Sequence, residues 1–395
     1  MDPLATILML SDSEREAKGL VHTPQEIIQQ PDTWGRTYEN LSQLAPHLET
    51  FLKGAGVFND VQSRPSVFLI GAGTSDYIGK TVAPLLRRRW QCEVRAVPST
   101  DLLTCVDDHV VRGKSYLWIS FSRSGDSSEG VAVLDAALKQ RPEIHHLIVS
   151  CNRAGRMARM VSERGNICQV ILDDEVNDRG LAMTSSFSNM VVAGHCLAHI
   201  QDLTAYGATL RALIEAARRF LPAAAEFADR AVADGFRKIC FLGTGALHGV
   251  AVESALKVLE LTAGRIVSFS ETFLGVRHGP LSAIDQETLV VGFVAGETGR
   301  RSYELDLLQE LREKKLAKGI VVIAPKISLN DEKIMRKIGA VVPLELAVAD
   351  CYRPPVDVFI GQLLGLFASI KLGLKPDTPS PGGAISRVVS RVRIY

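Results

Sequence analysis

Eight consecutive residues, Ser122-Arg123-Ser124-Gly125-Asp126-Ser127-Ser128-Glu129, combine four hydroxyls, a guanidinium and a glycine. Hydroxyls and backbone amides at a helix start surround a phosphate dianion with donors, and an arginine adds charge. The stretch Gly71-Ala72-Gly73-Thr74-Ser75-Asp76 opens in a similar way, with Gly73, Thr74 and Ser75 as candidate contacts. Its glycines alone fit a tight turn equally well. A dinucleotide fingerprint needs a third glycine, which this stretch and its later counterpart, Gly243-Thr244-Gly245-Ala246-Leu247-His248, both lack. The hydroxyl-rich run therefore points to a terminal phosphate monoester and away from a nicotinamide cofactor.

Acids and bases come later in the chain. Glu253, Lys257 and Glu260 recur at spacings of four and three and share one helix face. They can project together into a crevice, or form a salt-bridge ladder facing solvent. His278, in the turn Arg277-His278-Gly279-Pro280, is a candidate proton donor or acceptor, or a structural histidine. His195 and His199 lie four apart, but no third ligand or intervening acid accompanies them. Core packing is the better reading of that pair, and no metal site is expected.

The elements that must position these groups follow from periodicity. The first sixty residues read as helical, with Thr23 as a cap before Pro24 and a second start at Pro31 and Trp34. From residue 66, short apolar runs alternate with helical stretches, which argues for a parallel sheet. The expected strands are Val67–Ile70, Cys92–Val97, Tyr116–Phe121, His146–Val149 and Ile167–Leu172. A second set, Lys238–Leu242, Ile266–Phe269, Leu289–Phe293, Gly319–Ile323 and Val341–Leu344, repeats the first at nearly constant spacing. The fold class is thus α/β, with two tandem doubly wound parallel sheets, flavodoxin-like three-layer αβα, an N-terminal helical segment and a C-terminal tail. Expected boundaries are 1–45, 46–215, 216–370 and 371–395. A helical region, 204–232, joins the copies, with Pro222 starting its second helix. In such sheets the ligand crevice lies at the carboxyl ends of the strands, where both the serine loop and the first glycine loop fall. The matching loop of the second copy, Phe293-Val294-Ala295-Gly296-Glu297-Thr298-Gly299, is poor in hydroxyls and carries an acid, so one phosphate site per chain is expected.

Composition narrows the function classes. With 46% hydrophobic and 23% charged residues and a net charge of +1 over 395 residues, the chain reads as a globular protein of two domains. No basic surface predicts nucleic-acid binding, and Arg87-Arg88-Arg89 reads as a helix end. Seven scattered cysteines read as buried thiols of a reducing compartment. No signal peptide or membrane-spanning run is evident, which predicts a cytoplasmic protein.

Together these segments resemble the double sugar-isomerase (SIS) domain family, which includes the isomerase half of glucosamine-6-phosphate synthase. The likeness runs from about residue 45 to 395 and rests on Gly73-Thr74-Ser75, Ser122 to Ser127, Glu253 to Glu260 and His278-Gly279-Pro280-Leu281. By resemblance, Ser75, Ser122, Arg123, Ser124 and Ser127 hold a sugar phosphate, Glu260 shuttles a proton between carbons one and two, and His278 assists ring opening from a neighbouring subunit. Glu253 and Lys257 order the sugar hydroxyls and the base. The resemblance also implies a homodimer with shared active sites and no cofactor.

Two departures matter. The chain opens Met1-Asp2-Pro3, without the amino-terminal cysteine and glutaminase domain of the synthase. Where the synthase carries a Schiff-base lysine, Ala384-Ile385-Ser386-Arg387-Val388-Val389 offers Arg387, which stays protonated; it is placed among the substrate contacts. The segments Glu26 to Pro31, Trp34 and Lys375 to Gly383 resemble the galactosamine-6-phosphate deaminase/isomerase branch, also called tagatose-6-phosphate ketose/aldose isomerase. That branch implies a hexosamine 6-phosphate substrate and ammonia release. The alternatives are a ketose/aldose isomerase acting on a hexose 6-phosphate without ammonia release, and a non-catalytic phosphosugar-binding regulator.

Overall fold

The computed structural model describes residues 2–161, 165–325, 328–389 and 392–395. The chain divides into two compact units. One comprises Asp32–Asp178, Ser185–Leu210 and Ser386–Tyr395; the other comprises Met1–Pro31, Arg179–Thr184 and Arg211–Ile385. Four helices open the chain: α1 (Pro3–Leu8), α2 (Asp12–Lys18), α3 (Thr23–Ile28) and α4 (Gln30–Gly54). Thr23 is the first residue of α3 rather than its cap. Its hydroxyl donates to Asp377 Oδ1 at 2.8 Å, a carboxylate that also accepts from the amides of Val21 and Thr23. A buried acid with several donors fixes the hydroxyl more firmly than a local cap would.

The sheet of the first unit holds β1 (Ser66–Gly71), β2 (Val94–Pro98), β3 (Tyr116–Ser122), β4 (His145–Ser150) and β5 (Ile167–Ile171), all parallel, in the order β2-β1-β3-β4-β5. Every residue of β1 and β3 is buried, as expected for strands covered on both faces. The helices are α5 (Thr74–Trp90), α6 (Ser99–His109), α7 (Ser128–Gln140), α8 (Arg156–Arg159) and α9 (Ser185–Ala198). On one face Phe68, Trp118, Tyr116, Val133 and Ile144 form a core, with Phe68 stacked on Trp118. The order reverses between β1 and β3, so the loops after those two strands flank the switch-point crevice.

Helix α10 (Leu203–Asp234) is continuous through Pro222, which was expected to start a second helix. Proline removes one hydrogen bond from the ladder. Buried Ala217, Phe220, Leu221, Ala224, Ala225 and Ala228 hold the helix together on either side.

The second unit repeats the design with β6 (Lys238–Leu242), β7 (Val267–Glu271), β8 (Thr288–Phe293), β9 (Gly319–Pro325) and β10 (Ala340–Leu344), in the order β10-β9-β8-β6-β7. Helices α11 (Ala246–Leu261), α12 (Thr298–Glu313), α13 (Leu329–Ile338), α14 (Pro354–Asp357) and α15 (Phe359–Lys371) accompany it. All ten expected strands are present with ends within two residues of expectation. The duplication extends to backbone angles: Gly73 before α5 has φ 57°, ψ −128°, and Gly245 before α11 has φ 62°, ψ −126°. A side chain at either position would be strained, so the glycine pairs are conformational requirements of the repeat.

Five of the seven thiols are buried; Cys92 is half-buried and Cys105 exposed, the latter at a kink of α6 where φ is −140°. No helix among the described residues is long and apolar enough to cross a membrane.

Candidate active site

The serine loop joins β3 to α7. Ser122, with Arg123 beside it, is buried where β3 ends, and Gly125 turns the chain at φ 65°. Ser122 Oγ accepts from the Gly125 amide at 3.0 Å, and Ser124 Oγ accepts from the Asp126 amide at 3.2 Å. Each hydroxyl uses a lone pair to shape the loop and keeps its own hydrogen to donate. Ser127 immediately precedes α7 and makes no side-chain cap. The loop is braced from the following turn: Asn152 Nδ2 donates to Ser124 O at 2.8 Å, and Asp126 Oδ1 accepts from the Arg156 amide at 2.8 Å. Gly155 packs so closely that a Cβ there would lie 2.6 Å from Ser124 O. Ser75 is buried in the first turn of α5, after Gly73 and Thr74. Gly71 permits that turn, since its Cβ would lie 2.3 Å from the Ser75 carbonyl carbon.

The corresponding loop of the second unit is occupied by its own acid. Glu297 accepts from the amides of Gly299 at 2.7 Å and Arg300 at 2.9 Å, and these hydrogen bonds hold its carboxyl below the usual range. A carboxylate thus fills the helix start that, in the other copy, has hydroxyls around it.

Lys257 is fully buried on α11 between two carboxylates, with Nζ 3.2 Å from Glu253 Oε1 and 2.7 Å from Glu260 Oε2. Burial pulls the ammonium pKa down, but the two carboxylates outweigh it and leave the pKa above the ordinary lysine value. Glu253 is equally buried, whereas the Glu260 side chain is 23% exposed. The triad is therefore no solvent-facing ladder: two members lie inside, and one carboxylate reaches outward with Lys257 fixing one of its oxygens. Close helix packing makes this possible. A Cβ on Gly361 of α15 would lie 2.4 Å from Ser254, and one on Gly365 would lie 3.0 Å from Lys257 O, so only glycines let α15 cover this turn of α11.

His278 is exposed on a single 3-10 turn after β7, followed by Gly279 at φ 128°. Its neighbour Arg277 is engaged with Asp306 and Glu310. The guanidinium of Arg387 donates to Asp178 O at 2.7 Å and to Asn177 Oδ1 at 2.8 Å, while its carbonyl accepts from Arg123 Nη2. His195 is buried against Tyr206 Oη at 3.1 Å and His199 against Asp202 at 3.0 Å, as core packing requires. No cluster of three metal-ligating side chains occurs among the described residues.

Glu304 on α12 went unnoticed in the sequence. It is 1% exposed, and burial pushes its carboxyl up to about 7 although the Ala295 amide at 2.6 Å and the Thr244 hydroxyl both donate to it. The signal was its place on the apolar stripe with Leu307, Leu308 and Leu311, at helical spacing.

No protein-family model matches the chain. D-galactosamine-6-phosphate deaminase AgaS of Escherichia coli is 36% identical over 374 residues, spanning 94% of this chain and 95% of the relative. The crystal structure of tagatose-6-phosphate ketose/aldose isomerase from Escherichia coli is 34% identical, with a TM-score of 0.83 over 92% of this chain and 95% of that one. A crystal structure from Clostridium novyi NT is 31% identical, with a TM-score of 0.90 over 96% of each chain. The chain belongs to the AgaS branch of the double sugar-isomerase-domain family.

Proposed function

We propose that the protein is an amino-sugar 6-phosphate deaminase/isomerase that converts galactosamine 6-phosphate to tagatose 6-phosphate and ammonia. The observation that carries the reading is the Glu253–Lys257–Glu260 triad, in which buried charge is concentrated behind one outward carboxylate. Glu253 and Lys257 pair out of solvent, while Glu260, 23% exposed, has one oxygen held by Lys257; a base needs one oxygen fixed and the other presented to substrate.

In this reading Ser75, Ser122, Ser124 and Ser127, with the loop amides, hold the phosphate. Gly73 and Thr74 shape that contact, and Arg123 borders it. Glu260 removes the carbon-2 proton of the opened amino-aldose; the electron pair moves toward carbon 1, whose carbonyl oxygen takes up a proton. Return of the proton to carbon 1 leaves a ketimine at carbon 2. Water adds to it, and ammonium departs from the ketose. The sequence is redox-neutral, and the nitrogen that becomes the imine is the substrate's own, so arginine at position 387 is no obstacle. His278, exposed and on a glycine-flanked turn, serves ring opening in the neighbouring subunit of a cytoplasmic homodimer. The names of the relatives, a D-galactosamine-6-phosphate deaminase and a tagatose-6-phosphate ketose/aldose isomerase, support this substrate class.

The test is ammonium release from glucosamine, galactosamine and N-acetylated hexosamine 6-phosphates, with the ketose measured in parallel. Equal amounts of ammonium and ketose 6-phosphate from galactosamine 6-phosphate are expected. Isomerisation of hexose 6-phosphates alone, or binding without any turnover, overturns the proposal.

A further inference from the structure

We propose that Arg387 is a positioning residue that straps the carboxyl-terminal segment onto the serine loop, instead of contacting substrate itself. This inference rests on the phosphate-binding reading of that loop. The guanidinium is occupied on two sides: Nε donates to Asp178 O at 2.7 Å, and Nη2 donates to Asn177 Oδ1 at 2.8 Å and to Asn177 O at 3.3 Å. A planar fork matched to three fixed acceptors is a structural anchor. The acceptors are themselves fixed, because the fully buried Asp178 receives the amides of Ser185 at 3.0 Å and Ser186 at 2.9 Å and so caps α9.

From that anchor the strap reaches the loop at two points. The Arg387 carbonyl accepts from Arg123, and the Val389 carbonyl accepts from the Ser128 amide, at the first residue of α7, at 3.1 Å. Beyond, Val392 and Ile394 line a groove with Val131, Ala132 and Met160 of the helices that follow the loop. The chain of contacts is continuous: start of α9, Asp178, Asn177, Arg387, Arg123, serine loop. It gives a use for arginine where a lysine nucleophile would stand in the synthase. Lysine is a point donor and cannot span the three acceptors. The strap sets the conformation of Arg123 and of the α7 start, two groups that border the proposed phosphate.

The experiment compares wild type, Arg387→Ala, Arg387→Lys and Asn177→Ala by hydrogen exchange of residues 122–128, where the Ser128 amide donates to Val389 O, and by steady-state kinetics with galactosamine 6-phosphate. Arg387→Ala is expected to speed exchange of the Ser128 amide at least tenfold and to raise KM about tenfold with a smaller change in kcat. Arg387→Lys is expected to fall between alanine and wild type. Asn177→Ala, which leaves Arg387 in place and removes its Oδ1 acceptor, should speed the same exchange. Unchanged exchange in Arg387→Ala and Asn177→Ala overturns the strap, and a KM shift without an exchange shift makes Arg387 a substrate ligand and overturns it equally. Exchange does not depend on turnover. A wild type inactive on every hexosamine phosphate, with faster Ser128 exchange in Arg387→Ala, would sink the proposed reaction and leave the strap standing.

Discussion

Lys257 has no solvent of its own, and its two carboxylate partners supply what water would otherwise give. Removing one member of a buried pair strands the other charge at a cost of about 3 to 5 kcal/mol. Lys257→Met should therefore lose that much in urea unfolding and lose turnover as well; stability within 1 kcal/mol of wild type would mean that Glu253 is not held by the ammonium. Glu304 behaves differently, because its folded pKa lies above the unfolded value. A group of that kind contributes its full stability below about pH 4.5 and loses it as pH rises through about 7, by up to about 3 kcal/mol. Glu304→Gln keeps an acceptor for the Ala295 amide and should flatten this fall between pH 5 and pH 8.5. An unchanged pH slope would remove Glu304 as its source. Spacing alone placed Glu253, Lys257 and Glu260 on one helix face. It could not say whether that face meets water, since Gly361 and Gly365, a hundred residues on, decide it.

At the scale of elements, the serine loop is an arrangement of one strand end, one helix start and the turn behind them. The closeness of Gly155 to Ser124 O and Gly125 Cα leaves no room for a methyl group. Gly155→Ala should displace the loop, because its Cβ would lie 2.6 Å from the Ser124 backbone oxygen; it should cost about 1 to 3 kcal/mol or more and raise KM for phosphorylated sugars roughly tenfold. Unchanged KM would separate the loop from phosphate. The ten strands were legible because parallel strands covered on both faces read as unbroken apolar runs ended by glycine or serine. Pro222 misled because the rule that proline opens helices is local, and α10 is held through it by packing on its apolar face. The self-capping of α12 by Glu297 was legible in outline, as an acid standing where the first copy has serines.

For the molecule, duplication supplied two crevices of one design, and sequence divergence gave them different contents. One keeps hydroxyls at a helix start; the other fills that start with Glu297 and buries Glu304 beneath it. The proposed homodimer adds His278 from a second copy. Mixing inactive Glu260→Gln and His278→Ala proteins after co-refolding should restore about a quarter of wild-type activity, because heterodimers regain one intact site in two. Absence of restoration would confine each site to one chain.

The base assignment is tested most directly by incubating galactosamine 6-phosphate in deuterated water with wild type and Glu260→Gln, following ammonium, ketose and deuterium at carbon 1. The account predicts ammonium and tagatose 6-phosphate in equal amounts from wild type, and a rate at least about a hundredfold lower for Glu260→Gln with sugar binding preserved. Glu260→Gln releasing ammonium at the wild-type rate would contradict it.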